Sequence, residues 1–278
     1  MKKASLFHVL LISALCSSQE KSFFFNLKHH QNSTYLSELK IFTEFKINRN
    51  ADKETLKLFD SLGVNQTYNG SKKESWKVMT KTKKTTNDLN LPVYILGYDF
   101  EYNGTLNKNK IDDNFKFETI KADGFIDIDN RLTINSVLVD DSISNKQQEY
   151  KKLIENREML ISFAKLKIRL GDTIPFIYIK YYPVLQDNNN YYNIDCSAIF
   201  IKEKKGIAYF KVKSNKSEKS DYTMIVDGII KYDIENNFIA STLLKSKLHF
   251  KETIENLITT DHEYSDNVEI RTKLNKNI

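Results

Sequence analysis

"ADGFIDIDNRLTINSVLV" (residues 122–139) and "VDGIIKYDIENNFIASTLL" (residues 226–244) carry one pattern, repeated 104 positions apart. Each opens on Asp-Gly and two apolar residues, passes an acid and an Asn, and then alternates apolar with polar side chains. Alternation with period two marks a strand that buries one face. Asp129-Asn130 and Asn236-Asn237 supply residues that tolerate the left-handed backbone of a tight hairpin turn. The reading is a hairpin used twice, within two related antiparallel meanders. Residues of about 93–139 are expected to superpose on about 191–247 as three-stranded units, with Asp123 matching Asp227 and Phe125 matching Ile229. The second copy has extra residues, "KYDIENN" against "DIDN", which a longer turn or a bulge must absorb.

The same alternation recurs outward from this pair. In "VYILGYDFEYNGTL", Tyr94, Leu96, Tyr98, Phe100 and Tyr102 are expected on one face. Tyr192, Ile194, Cys196, Ala198 and Phe200 form a second such set, and Phe238, Ala240, Leu244, Leu248 and Phe250 a third. Such patterning belongs to antiparallel sheets with one solvated face. Two helices interrupt the strands. "ADKETLKLFDSLG" has Asp52 as N-cap, Leu56, Phe59 and Leu62 at helical spacing, and Gly63 as its stop. A longer amphipathic helix at about 145–165, with Tyr150, Leu153, Ile154, Leu160, Ile161 and Ala164 along one side, is expected to pack on the sheet.

The N-terminus reads as a secretory signal over residues 1–18. Lys2 and Lys3 precede an apolar run from Leu6 to Leu15, and Ser17-Ser18 are small. The run is shorter than the about 20 apolar residues a membrane span needs. Cleavage between Ser18 and Gln19 would leave Gln19 as the mature N-terminus. The alternative is an outer-membrane lipoprotein anchored at Cys16; Leu15 stands where that signal needs a small residue.

The 278 residues carry a formal charge of +6, which falls to +4 once Lys2 and Lys3 are removed. That surplus is mild for the chain length and gives no concentrated footprint for nucleic acid. Cys196 alone remains after cleavage, so no intramolecular disulfide can form and a hydrophobic core must hold the fold. With 3 Pro and 8 Gly there is no linker composition. Residues 19–278 therefore read as a single β-rich domain with halves of about 35–142 and 166–251.

Catalytic signatures are absent. His29, His30, His249 and His262 show no zinc spacing, and Cys196 lies on an apolar strand face. His29-His30 read as part of an edge or frayed segment near the new N-terminus. Asp127, Asp129 and Asn130 are oxygen donors, but Arg131 and Leu132 stand where a calcium loop needs a ligand and a glycine. In "SKKESWKVMTKTKKTT", Trp76, Val78, Thr80 and Thr82 should share one face and Lys77, Lys81 and Lys83 a solvated one.

The order "LKIRLGDTIPF" (166–176), "YYNIDCSAIFIKEKKGIAYFKV" (191–212) and "DGIIKYDIENNFIASTLLKSKLHF" (227–250) resembles an uncharacterised family of exported, β-rich bacterial proteins. Thr173-Ile174-Pro175 replaces the tryptophan that often follows the Gly-Asp there. The resemblance implies export and a β-rich domain of unknown function, and transfers no catalytic residue.

Together these readings give a mainly β chain: a curved antiparallel sheet or open barrel of two related meanders, with one long helix packed on it. The expected function is a periplasmic or secreted non-catalytic binding or scaffold protein. Its partner would be a hydrophobic small molecule or an envelope component, with no cofactor, no metal, no nucleic acid and no transmembrane segment in the mature chain. The alternative is an envelope-associated hydrolase with residues gathered from distant strands.

Overall fold

The computed structural model describes residues 22–27, 29–85, 90–111, 119–127, 132–139, 151, 154, 166–182, 190–215, 217–219, 222–254 and 257–276. The first half contains strands β1 (Ser22–Phe25), β2 (Ser33–Ala51), β3 (Thr67–Thr82), β4 (Asn90–Leu106), β5 (Asn109–Ile111), β6 (Ile120–Asp127) and β7 (Leu132–Val139). The second contains β8 (Leu166–Arg169), β9 (Thr173–Tyr182), β10 (Asn190–Lys204), β11 (Ile207–Ser214), β12 (Ser217–Lys219), β13 (Tyr222–Asp233), β14 (Phe238–Ile254) and β15 (Ile258–Lys276). Helix α1 spans Lys53–Ser61.

The main sheet is antiparallel throughout and runs β7-β6-β4-β3-β2-β15-β14-β13-β11-β10-β9, with β5 added to β4 and β12 to β13. Its end strands β7 and β9 are not paired with each other among the described residues, so the sheet is open. The seam between the halves is β2 against β15, in register without a break from Ser33↔Lys276 to Ala51↔Ile258. That seam strand β15 lies beyond 251, the expected end of the second half.

Helix α1 begins as its sequence predicts. Asp52 Oδ1 accepts from the Glu54 and Thr55 amides at 2.8 and 2.9 Å, which holds the Asp52 carboxyl below its usual range. Gly63 then takes φ +67°, a left-handed stop. The expected helix at 145–165 lies outside the described residues except for Lys151 and Ile154, both in helical backbone. What packs over the second half, among the described residues, is a two-stranded sheet of β1 and β8. Phe25 and Ile168 from it are buried in the larger core with Phe200, Phe210 and Tyr232. The Phe25 ring lies 4.4 Å from that of Tyr232 and 5.5 Å from that of Phe210. A smaller core, with Val93, Ile95, Ala122 and Ile134, fills the first half.

The two Asp-Gly segments have matching surroundings. Asp123-Gly124 lies in β6 between β4 and β7; Asp227-Gly228 lies in β13 between β11 and β14. Val93 pairs with Gly124 and Val212 with Gly228. Ala122, Ile126 and Ile134 are buried, as are Val226, Ile230 and Leu244 at the corresponding places. The second unit starts at β11, not at residue 191, because β10 neighbours β11 as β3 neighbours β4, outside the three-stranded unit. The extra residues of the second hairpin are absorbed at Ala240, where the register shifts between Lys231 and Tyr232, and at a turn with Asn237 at φ +56°. Asp129 and Asn130 lie outside the described residues.

Two facing expectations are overturned: in the 238–250 set the bulge at Ala240 brings Ile239, the partner of buried Tyr232, to the core, and the β4 set changes side as well. Val93 and Ile95 are buried, and Tyr94 and Leu96 take the opposite face, pairing with Lys81 and Met79. The register then shifts between Ser75 and Lys77, with Asp99 at φ +51°. Tyr102, opposite Glu74, is thereby returned to the Trp76 face, so the five residues do not share one side. An inserted residue inverts every later side chain, and nothing in the local alternation marks it.

Candidate functional site

On the buried face of the sheet, at the seam, lies a cavity of about 220 Å³. Alternation sets its walls: Tyr35, Ser37 and Leu39 of β2, Trp76, Val78 and Thr80 of β3, and Ile270 and Thr272 of β15. These are register neighbours. Leu39 pairs with Trp76 on one side and Ile270 on the other; Ser37 pairs with Val78 and Thr272. Ile95, Ile120, Ile126 and Leu132 continue the wall into the first half, and Phe238, Ile239 and Thr242 into the second. Gly97 lines it as well, leaving room where a side chain would stand.

The lining is apolar with a few hydroxyls. Ser37 Oγ and Thr272 Oγ1 share a hydrogen bond of 3.0 Å. Thr80 and Thr242 are both buried. The Trp76 ring also packs against the smaller core, as does Ile154. The face predicted for Trp76, Val78, Thr80 and Thr82 is observed, with Lys77 and Lys81 exposed on the other.

Residues 26–27 and 29–32, between β1 and β2, form a strap that contributes Leu27 and His29 to the lining. The His30 amide donates to the Tyr35 hydroxyl at 2.7 Å, and the Thr82 hydroxyl donates to the His30 carbonyl at 2.5 Å. His30 Nε2 lies 2.7 Å from the Asn236 carbonyl in the β13–β14 turn. The Tyr232 hydroxyl reaches the Asn26 carbonyl at 3.1 Å and Asn237 Oδ1 at 2.9 Å. Burial raises the pKa of both phenols, Tyr35 and Tyr232. The His29-His30 pair is therefore not a frayed end. It ties the first strands to the second half, and its ring at position 29 meets Tyr35 edge-on at 5.2 Å. Sequence spacing held no sign of the tie to the second half, because Asn236, the partner of the His30 ring, lies 206 positions away.

The remaining sequence candidates lie elsewhere. Cys196 is buried, and burial pushes its thiol up to about 12, which suits a core residue and opposes a nucleophile. Ser246 and Thr43 both donate to the buried Asp266, at 3.3 and 2.5 Å, a polar network that crosses the β2–β15 seam. His249 meets Asp261 at 2.5 Å on the outer face. His262 is buried against Phe250 at 4.4 Å and 5°. Ser18, Gln19 and Cys16 lie outside the described residues. Among the described residues no group of three or more His, Cys, Asp and Glu could hold a metal, and no helix is long and apolar enough to cross a membrane.

No protein-family model and no curated protein matches the sequence. Among solved structures, a lipovitellin described for its lipid–protein interactions is similar over 90% of this chain and 26% of its own, at 6% identity and TM-score 0.46. The type II secretion system secretin GspD of E. coli K12 is similar over 100% of this chain and 55% of its own, at 7% identity and TM-score 0.22. The chain thus spans about a quarter of the first and about half of the second. Likeness at these TM-scores identifies no relative.

Proposed function

We propose that this is an exported, non-catalytic binding protein that holds a small hydrophobic ligand in the seam cavity. The observation that carries the reading is the cavity itself: its walls come from both halves, its lining is aliphatic and aromatic, and its polar groups are mainly hydroxyls. Pockets of this composition bury apolar bodies and orient them with a few hydrogen bonds.

Size narrows the class. The volume of about 220 Å³ lies below the roughly 300 Å³ of common ligand pockets. It exceeds the about 150 Å³ apolar cavity that accepts benzene. A short acyl chain or a single small ring system fits that interval. The Ser37–Thr272 pair offers one hydroxyl contact to a polar end.

Two further readings accompany this one. The matching partners and burial around Asp123-Gly124 and Asp227-Gly228 support two copies of one meander, fused so that the seam lies between them. The signal-like residues 1–18 and the resemblance of the second half to exported proteins support a periplasmic or secreted location.

Native mass spectrometry of protein purified from its own host tests the binding reading. A co-purifying apolar small molecule, lost on filling the cavity with Val78→Phe, is expected. Absence of any bound molecule, together with failure of small apolar fluorophores to bind, would overturn it.

A further inference from the structure

The outer face of the second half carries exposed lysines that make no ion pair among the described residues. On β11, Lys211 and Lys213 point outward and are exposed; on β14, Lys245 and Lys247 do the same. In register, Lys213 and Lys245 flank Asp227, and Lys211 flanks the Ile229–Leu243 pair. Among the described residues no ion pair involves these four lysines. On the first half's outer face Lys40 meets Glu38 at 2.9 Å and Lys77 meets Asp99 at 2.7 Å, while Lys73 and Lys81 are exposed with no ion pair among the described residues.

Edge protection does not account for these lysines. Charges on edge strands block unwanted pairing, but β11, β13 and β14 are interior strands with partners on both sides. The face also exposes aliphatic groups among the ammonium groups: Ile225 is 56% exposed and Leu243 47%. At the margin, Lys202 and Lys231 both place Nζ over the Tyr209 ring, at 4.8 and 5.7 Å.

We infer that this face docks on an anionic lipid surface. Lysines near a negatively charged bilayer each add attraction, and aliphatic side chains between them enter the headgroup boundary. Lysine stems lie along apolar surface while their ammonium groups reach the phosphates. A soluble polyanion would use the lysines alone and gain nothing from Ile225 and Leu243, so the mixed composition favours the bilayer. The inference is independent of what the cavity holds.

Co-sedimentation of the full protein with phosphatidylcholine vesicles, with and without phosphatidylglycerol, tests it. Binding is expected only with phosphatidylglycerol and should weaken as salt rises. Lys211→Glu with Lys245→Glu should lower the partition coefficient at least tenfold, and Ile225→Asn with Leu243→Asn several-fold. Lys73→Glu, exposed on the first half's outer face, should leave it unchanged. Circular dichroism of each variant confirms that it is folded. Equal binding to pure phosphatidylcholine would overturn the inference, as would a loss caused by Lys73→Glu. Vesicle binding unaffected by Ile225→Asn with Leu243→Asn, alongside equal binding to polyphosphate, would mark a general polyanion face and also overturn it.

Discussion

Gly124 and Gly228 occupy one structural position in two meanders. A Cβ on Gly124 would stand 2.1 Å from the Thr133 carbonyl oxygen, and a Cβ on Gly228 would stand 2.1 Å from that of Leu243. In each case the obstacle is the backbone of the following strand, one residue before the glycine's own partner, Ile134 or Leu244. The Asp-Gly of each segment is therefore a close-approach site inside a strand, not a turn signal.

Replacing either glycine should disturb the sheet in the same way. Gly124→Ala and Gly228→Ala are each expected to destabilise by about 1–3 kcal/mol, since backbone has to move to admit the methyl group. Gly97→Ala serves as the control, because its added Cβ would meet Ile120 at an ordinary 3.7 Å. Chemical denaturation of the three variants reads the difference. Equal stability of all three would remove the shared role of the two glycines.

Trp76 is the single tryptophan of the chain and lines the cavity. Its fluorescence should therefore report occupancy directly. Titration with a short-chain fatty acid or a small aromatic is expected to shift or quench the emission saturably. Val78→Phe, one register step along the same face, should reduce apparent affinity at least tenfold by occupying the space. Emission unchanged in both proteins would show that the cavity takes neither probe.

The strap should open when its anchors are cut. Tyr232→Phe removes the hydroxyl that meets Asn26 and Asn237. A loss of about 1–2 kcal/mol is expected, within the range for a part-buried hydrogen bond and the group it leaves unsatisfied. Hydrogen exchange at the Asn26 and His30 amides should accelerate, and any cavity ligand should exchange faster. Unaltered exchange at those amides would mean that the strap is held by other contacts.

His262 should make stability depend on pH. Burial is the main cause that lowers its pKa from 6.5 to about 4; Asp261 opposes the shift and Arg49 adds to it. Both ring nitrogens are buried with no hydrogen-bond partner among the described residues, and Glu252 Oε2 lies 3.7 Å from Nε2. Between pH of about 4 and 6.5 the unfolded chain binds a proton that the folded chain refuses, so stability falls as pH falls through that window. The loss is on the order of 3 kcal/mol. His262→Phe should extend the stack on Phe250, raise stability at neutral pH, and flatten the profile between those limits. A profile unchanged by the substitution would assign the pH dependence to other groups.

The export reading is checked at the N-terminus. Intact mass of the protein from its host should begin at Gln19 with no acyl mass. A lipid-bearing Cys16 would place the protein on a membrane face.

Much of the β architecture was legible in residue order. Strand faces such as Tyr192 to Phe200 follow from alternation, because a side chain's side of a sheet depends only on its parity along the strand. The Asp52 cap and Gly63 stop of α1 are local for the same reason: every partner lies within a turn or so. The similar strand neighbours of the two Asp-Gly segments follow a repeated string, although the expected start at residue 191 falls in β10 and not in β11.

What depended on distant partners was not legible. The bulge at Asp99 inverts the face of the later β4 residues, and alternation carries no mark of it. The seam joins β2 to β15 across the length of the chain, and the cavity exists only because that pairing brings Leu39, Trp76 and Ile270 side by side. His30 reads as a loose terminal residue until Asn236 stands beside it. Facing and capping are short-range consequences of backbone geometry, whereas strand order, the cavity and the lysine face are set by which strands find each other. Residue order limits those pairings, and the packing free energy of the assembled sheet decides among them.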